Sequence, residues 1–173
     1  MKIYTIPIPS TSTDSNYFKS LVTGFDISEI KKLATSSDIF SKLSTKNKIH
    51  LWGIRGHSKS IFNRIVKGDY ILFYNEGCII SYCNLTEKFI DKKLANQLWS
   101  PLSQNLPSPD SYENILIVSP LQKVNIDYSI LIKYAGYSSK ASVRRFYMYS
   151  EAGLKNILSE YSSINAFLLS YKE

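Results

Sequence analysis

Apolar and polar positions alternate from the start of the chain. In "KIYTIPIP" (2–9), Ile3, Thr5 and Pro7 oppose Tyr4, Ile6 and Ile8, a period of two that predicts a first strand whose prolines mark its end or a sheet edge. The Ser/Thr-rich "STSTDS" (10–15) supplies caps for a helix over about 16–23. "DISEIKKLATS" (26–36) begins another behind Asp26 or Ser28, and Asp26 with Glu29 fits the spacing of a capping box. The central block is the most legible. Strand "IHLWGI" (49–54) leads to a short helix "SKSIFNRIV" (58–66) capped by Ser58 and a turn at Lys67-Gly68-Asp69. A strand over 70–74 follows, then a hairpin turn "NEG" (75–77) into "CIISYCNLTEKFI" (78–90).

Beyond it, "DKKLANQLW" (91–99) places Leu94 and Leu98 on one helix face. "SPLSQNLPSPDSYEN" (100–114) holds three of the six prolines and reads as a loop, and "ILIVSP" (115–120) as an apolar strand. "NIDYSILIKYAGYSS" (125–139) reads as a helix ended near Gly136, "VRRFYMYS" (143–150) as a last strand, and "SEAGLKNILSEYSS" (150–163) as an N-capped helix. About five to six short strands with hairpins and short helices, lacking a regular strand–helix–strand rhythm, predict an α+β fold with a curved sheet or small barrel.

Composition narrows the class. A chain of 173 residues that is 44% hydrophobic and 13% aromatic suffices for one buried core, so a single domain over 1–173 is expected. Lys and Arg number 21 against 14 Asp and Glu, a net charge of +7 that suits a polyanionic partner or simply a solvated basic surface. Cys78 and Cys83 form neither a disulfide framework nor a zinc set, as expected of reduced thiols in the cytoplasm. No signal-like segment and no run of roughly 18 apolar residues is present, so no membrane association is expected. The thirteen tyrosines, alongside abundant Ile, Lys, Ser and Asn, are ascribed to an AT-biased coding sequence.

Catalytic constellations are missing: there is no phosphate-binding Gly-rich loop, no HExxH, no GxSxG and no CxxC. His50 falls in a strand and His57 in a turn, and Asp69 and Glu76 serve turns. A binding module without metal or cofactor is the expectation. Its candidate site is "IHLWGIRGHSKS" (49–60), which sets Trp52 at the mouth of a strand just before a glycine-flanked basic turn. Trp52 is either a core residue or a flat wall for a ligand.

The order of "IHLWGI", Lys67-Gly68-Asp69 through Phe73-Tyr74, Gly77, Ile79-Ile80 and Leu98-Trp99 resembles the EVE and YTH-like branch of the PUA superfamily. The nearest likeness is to the N-terminal DNA-recognition domains of McrB-type, modification-dependent restriction systems. The resemblance spans about 3–157 and is most specific over 49–99; it departs from the YTH pattern at Gly53-Ile54-Arg55, after the tryptophan. It implies a PUA-like (EVE/YTH-like) small curved β-barrel with a pocket for one base rotated out of double-stranded DNA. Such members bind methylated bases, N6-methyladenine or modified cytosine, and belong to larger assemblies with a AAA+ GTPase and a nuclease.

On this reading Trp52 is the main base wall. Tyr74, Tyr82 and Trp99 are further walls or packing residues, and Asn75, or the backbone of Gly53 and Ile54, reads the base edge. Arg55, His57, Ser58 and Lys59 surround a helix start suited to phosphate, with Arg64 on the same helix. Lys140, Arg144 and Arg145 form a second phosphate-binding cluster or a solvated strand edge. An RNA-binding YTH-like domain, or a small-ligand or enzymatic PUA-like domain using the same pocket, are the competing readings.

Overall fold

The structure, a computed structural model, describes residues 1–9, 11–12, 15–35, 47–99, 112–138 and 142–172. In chain order its elements are β1 (Ile3–Pro7), a π-helical segment (Phe18–Thr23), β2 (Phe25–Asp26), α1 (Ile27–Leu33), β3 (Lys48–Ile54) and α2 (Lys59–Arg64). There follow β4 (Tyr70–Asn75), β5 (Cys78–Ile90), α3 (Lys92–Leu98), β6 (Asn114–Val118) and β7 (Gln122–Asp127). The last are α4 (Tyr128–Ala135), β8 (Tyr147–Met148), α5 (Glu151–Glu160) and α6 (Ile164–Leu169). The described strands thus exceed the five to six expected, because β2 and β8 are two-residue pairings too short to leave a pattern. The loop expected over 100–114 falls largely outside the described residues. No helix among them is long and apolar enough to cross a membrane.

Two compact units are formed. One comprises Met1–Ser10, Gly68–Asn84 and Leu121–Glu173; the other comprises Thr11–Lys67 and Leu85–Pro120.

In the first unit, β1 runs parallel to β4, from Ile3 beside Tyr70 to Pro7 beside Tyr74, and antiparallel to β8. It is therefore an inner strand whose end, and not an edge, is marked by Pro7, and Ile3 to Ile6 are all buried. The β4–β5 hairpin closes through Glu76 (φ 45°) and Gly77 (φ 90°), two successive left-handed residues whose twist matches that of the strands. The first part of β5 continues the sheet to β7. The first three residues of the helix expected over 125–139 belong instead to β7, whose alternating burial, with Val124 and Ile126 inside, is that of a half-buried strand. The helix begins only at Tyr128, where the Asp127 carboxylate accepts the Ser129 N–H at 2.8 Å, and it ends at left-handed Gly136 as expected. Ser150 caps α5 as expected, and Ser163 caps α6, which periodicity had not revealed. Ile3, Leu72, Ile79, Ile126, Leu131, Ile157, Phe167 and Leu168 form the centre of this unit's core.

In the second unit, β3 pairs antiparallel with β2 and with β6, and β6 with the second part of β5. Ile30, Ile49, Leu51, Leu94, Ala95, Ile115 and Ile117 pack together as its core. The Asp26–Glu29 capping box is not formed: the Asp26 carboxylate caps nothing and takes the Lys48 ammonium at 3.1 Å. Asp91 is the cap that matters. Its buried carboxylate accepts the Leu94 N–H at 2.9 Å, the Thr35 N–H at 2.6 Å and the Thr35 hydroxyl at 3.1 Å, joining α3 to the end of α1. Asp91→Ala strands these donors and should destabilise the chain by about 2 kcal/mol, checked by urea unfolding.

Candidate nucleic-acid interface

Alternation along β3 sorts the stretch expected to carry the site. Ile49 and Leu51 enter the core; His50 and Trp52, one residue out of phase, lie on the opposite face and are half-buried. Trp52 thus lies outside the core cluster that Ile49 and Leu51 join. Gly53 returns to the core side, where a Cβ would stand 2.7 Å from Trp99 Cζ3 and 2.8 Å from Tyr112 Cβ. The packing of Trp99 and Tyr112 against the backbone here leaves no room for a side chain.

Of the two roles expected of Trp99, wall or packing residue, the structure gives it the second. It is 3% exposed, lies in the core with Leu51 and Ile115, and its indole N–H donates to the buried Ser20 hydroxyl at 3.1 Å. Ile54 is also buried, and its carbonyl accepts the Asn114 amide at 3.4 Å.

Downstream, the chain surfaces. Arg55 is exposed; its Nε donates to the Tyr112 hydroxyl at 3.1 Å and its guanidinium lies 5.4 Å from that ring's centre. A single 3₁₀ turn, Gly56–Ser58, then leads into α2. This turn changes the role of Ser58, which is buried and makes no side-chain cap bond, so neither a capping nor a phosphate-facing hydroxyl is presented. His57 and Lys59 are exposed, bringing three basic residues together within five positions. Arg64 is exposed as well, with Nε donating to the Ser60 carbonyl at 3.4 Å. His50 is held by the Leu21 carbonyl, 2.8 Å from Nδ1, and no cluster of metal-ligating side chains occurs among the described residues.

The remaining candidates lie in the first unit. Tyr82 is 4% exposed, packed against Tyr70 with ring centres 6.1 Å apart, and burial raises its phenol pKa. It is a core residue and offers no open wall. Asn75 donates its amide to the Ile8 carbonyl at 3.0 Å, tying the end of β1 to β4. Tyr74 is half-buried and meets Tyr128 edge-on at 5.1 Å. Lys140 falls outside the described residues, whereas Arg144 and Arg145 are exposed and line a cavity of about 570 Å³ with Tyr128, Tyr137, Ser142 and Tyr147. The Tyr128 and Tyr147 hydroxyls are hydrogen-bonded to each other, and burial, reinforced by that bond, pushes the Tyr128 phenol up. These three tyrosines were missed because each, taken singly, merges into a tyrosine-rich composition.

No family model and no curated protein matches the sequence. Among solved structures, the N-terminal domain of Thermococcus gammatolerans McrB bound to m5C DNA aligns with a TM-score of 0.65 and 11% identity, over 92% of this chain and 96% of that one. Human THYN1 in complex with 5-methylcytosine containing DNA aligns at 0.48 with 14% identity, over 92% and 97%. An ASCH protein from Zymomonas mobilis aligns at 0.42 with 12% identity, over 91% and 94%. The α+β fold expected from the sequence is the fold of this chain, and the resemblance to McrB N-terminal domains holds at the level of fold.

Proposed function

We propose that the chain is a non-catalytic module that recognises a methylated base in double-stranded DNA, N6-methyladenine or a modified cytosine, by rotating it out of the duplex. It would target a larger McrBC-type restriction complex with a GTPase and a nuclease. The observation that carries this reading is Trp52: a half-buried indole on the face of β3 turned away from its unit's core, three residues before exposed Arg55. The McrB domain of the same fold, bound to m5C DNA, supports methylated DNA as the partner.

A flipped base requires a flat surface to stack on and cations to hold its neighbouring phosphates. Stacking on one aromatic side chain contributes about 1–3 kcal/mol, which offsets much of the few kcal/mol spent on unstacking. Trp52 supplies that surface. Arg55, His57 and Lys59 supply the phosphate contacts, which position the duplex without reading its sequence. Backbone groups near Ile54 are the candidates for reading the base edge.

The phosphate role has its own signature. Arg55→Ala should weaken binding to methylated and unmethylated duplexes by the same factor and reduce the slope of log affinity against log salt by about one. Titrations of wild type and variant at several salt concentrations measure both. DNA should bind in preference to RNA of matching sequence; the reverse preference would move the reading to RNA.

A further inference from the structure

The geometry points to a second nucleotide site, built wholly within the unit that contains β1, β4, β7 and β8, that takes a phosphorylated ring: a nucleoside monophosphate, free or as one residue of a nucleic-acid strand. The site is independent of the Trp52 reading. Its cavity, about 570 Å³, falls within the usual size of small-ligand pockets, and three of the six described residues that line it are tyrosines, Tyr128, Tyr137 and Tyr147.

Two lining residues are arginines, and neither Arg144 nor Arg145 meets a carboxylate among the described residues; Arg144 Nε contacts only the Ser142 hydroxyl, at 3.5 Å. Among the described residues, no acidic side chain lines the cavity. Flat aromatic walls beside uncompensated guanidiniums match a ligand that joins a π-face to a phosphate. The Tyr128 and Tyr147 hydroxyls, hydrogen-bonded to each other, use one proton internally and keep the other for a ring acceptor.

Titration calorimetry of the full chain with thymidine monophosphate, thymidine, inorganic phosphate and oligothymidylate tests the site. The monophosphate or the oligomer should bind saturably, about tenfold or more tighter than thymidine or phosphate alone, because ring and phosphate are held together. Arg144→Ala/Arg145→Ala and, separately, Tyr137→Ala, whose parent side chain is 39% exposed, should each weaken that binding about tenfold while circular dichroism stays unchanged. The charge-matched Lys133→Ala/Lys155→Ala should not. An oligomer preferred over the monophosphate identifies a strand as the source, equal affinity identifies a free nucleotide, and both support the site. The proposal is overturned by absence of saturable binding, by phosphate alone binding as tightly as the monophosphate, or by equal losses in the two double variants.

Discussion

Trp52→Ala is expected to abolish the preference for methylated over unmethylated DNA while leaving the chain folded. The stability side follows from β3: Trp52 stands out of phase with Ile49 and Leu51, so truncation opens no cavity in the core that those residues share with Trp99. The binding side follows from stacking. Loss of one base–aromatic stack removes about 1–3 kcal/mol, or roughly 5- to 150-fold in affinity. The methyl group's own contribution is smaller, about 0.8 kcal/mol for one buried carbon, or roughly fourfold, and it disappears with the surface it is buried against. Affinity measured on matched duplexes, with circular dichroism and thermal melting alongside, checks both. A variant that has lost its fold would return Trp52 to a structural role.

The opposite outcome is expected at the other tryptophan. Trp99→Ala should destabilise the chain by about 3–5 kcal/mol, the range for deleting a large buried aromatic, and strand the buried Ser20 hydroxyl besides. Loss of DNA binding in this variant should track loss of fold, so that the methylated-to-unmethylated ratio of the surviving folded fraction is unchanged. Denaturant unfolding gives the first quantity and binding corrected for folded fraction the second. Selective loss of methyl discrimination at full stability would place Trp99 in the pocket after all.

These two residues show what the sequence could reveal. Both end an apolar run and both fit the family resemblance, yet one faces away from its unit's core and the other fills it. For Trp52 the answer was local, since strand alternation alone separates it from Ile49 and Leu51. For Trp99 it was not: its partner Ser20 lies 79 residues away, and the reason for Gly53 is the Trp99 ring.

The elements divide in the same way. β3, β4 and the hairpin into β5 were legible because alternation and turn residues are short-range signals. β7 was lost because it runs into α4 without an intervening turn, and β8 because only Tyr147 and Met148 pair with β1. The expected caps at Asp26 and Ser58 failed for a related reason. A salt bridge to Lys48 and a preceding 3₁₀ turn compete for those residues, and neither shows in a spacing rule. The arginine pair was legible as charge, but its tyrosine companions come from α4, its following loop and β8, which only the folded chain assembles.

The central claim, that the chain reads a base modification, is tested most directly by equilibrium binding of the wild-type chain to duplexes identical except for one methyl group, on adenine N6 in one pair and cytosine C5 in another. The account predicts tighter binding to the methylated member of at least one pair, by roughly fourfold or more. Equal affinity for methylated and unmethylated members of both pairs would contradict it.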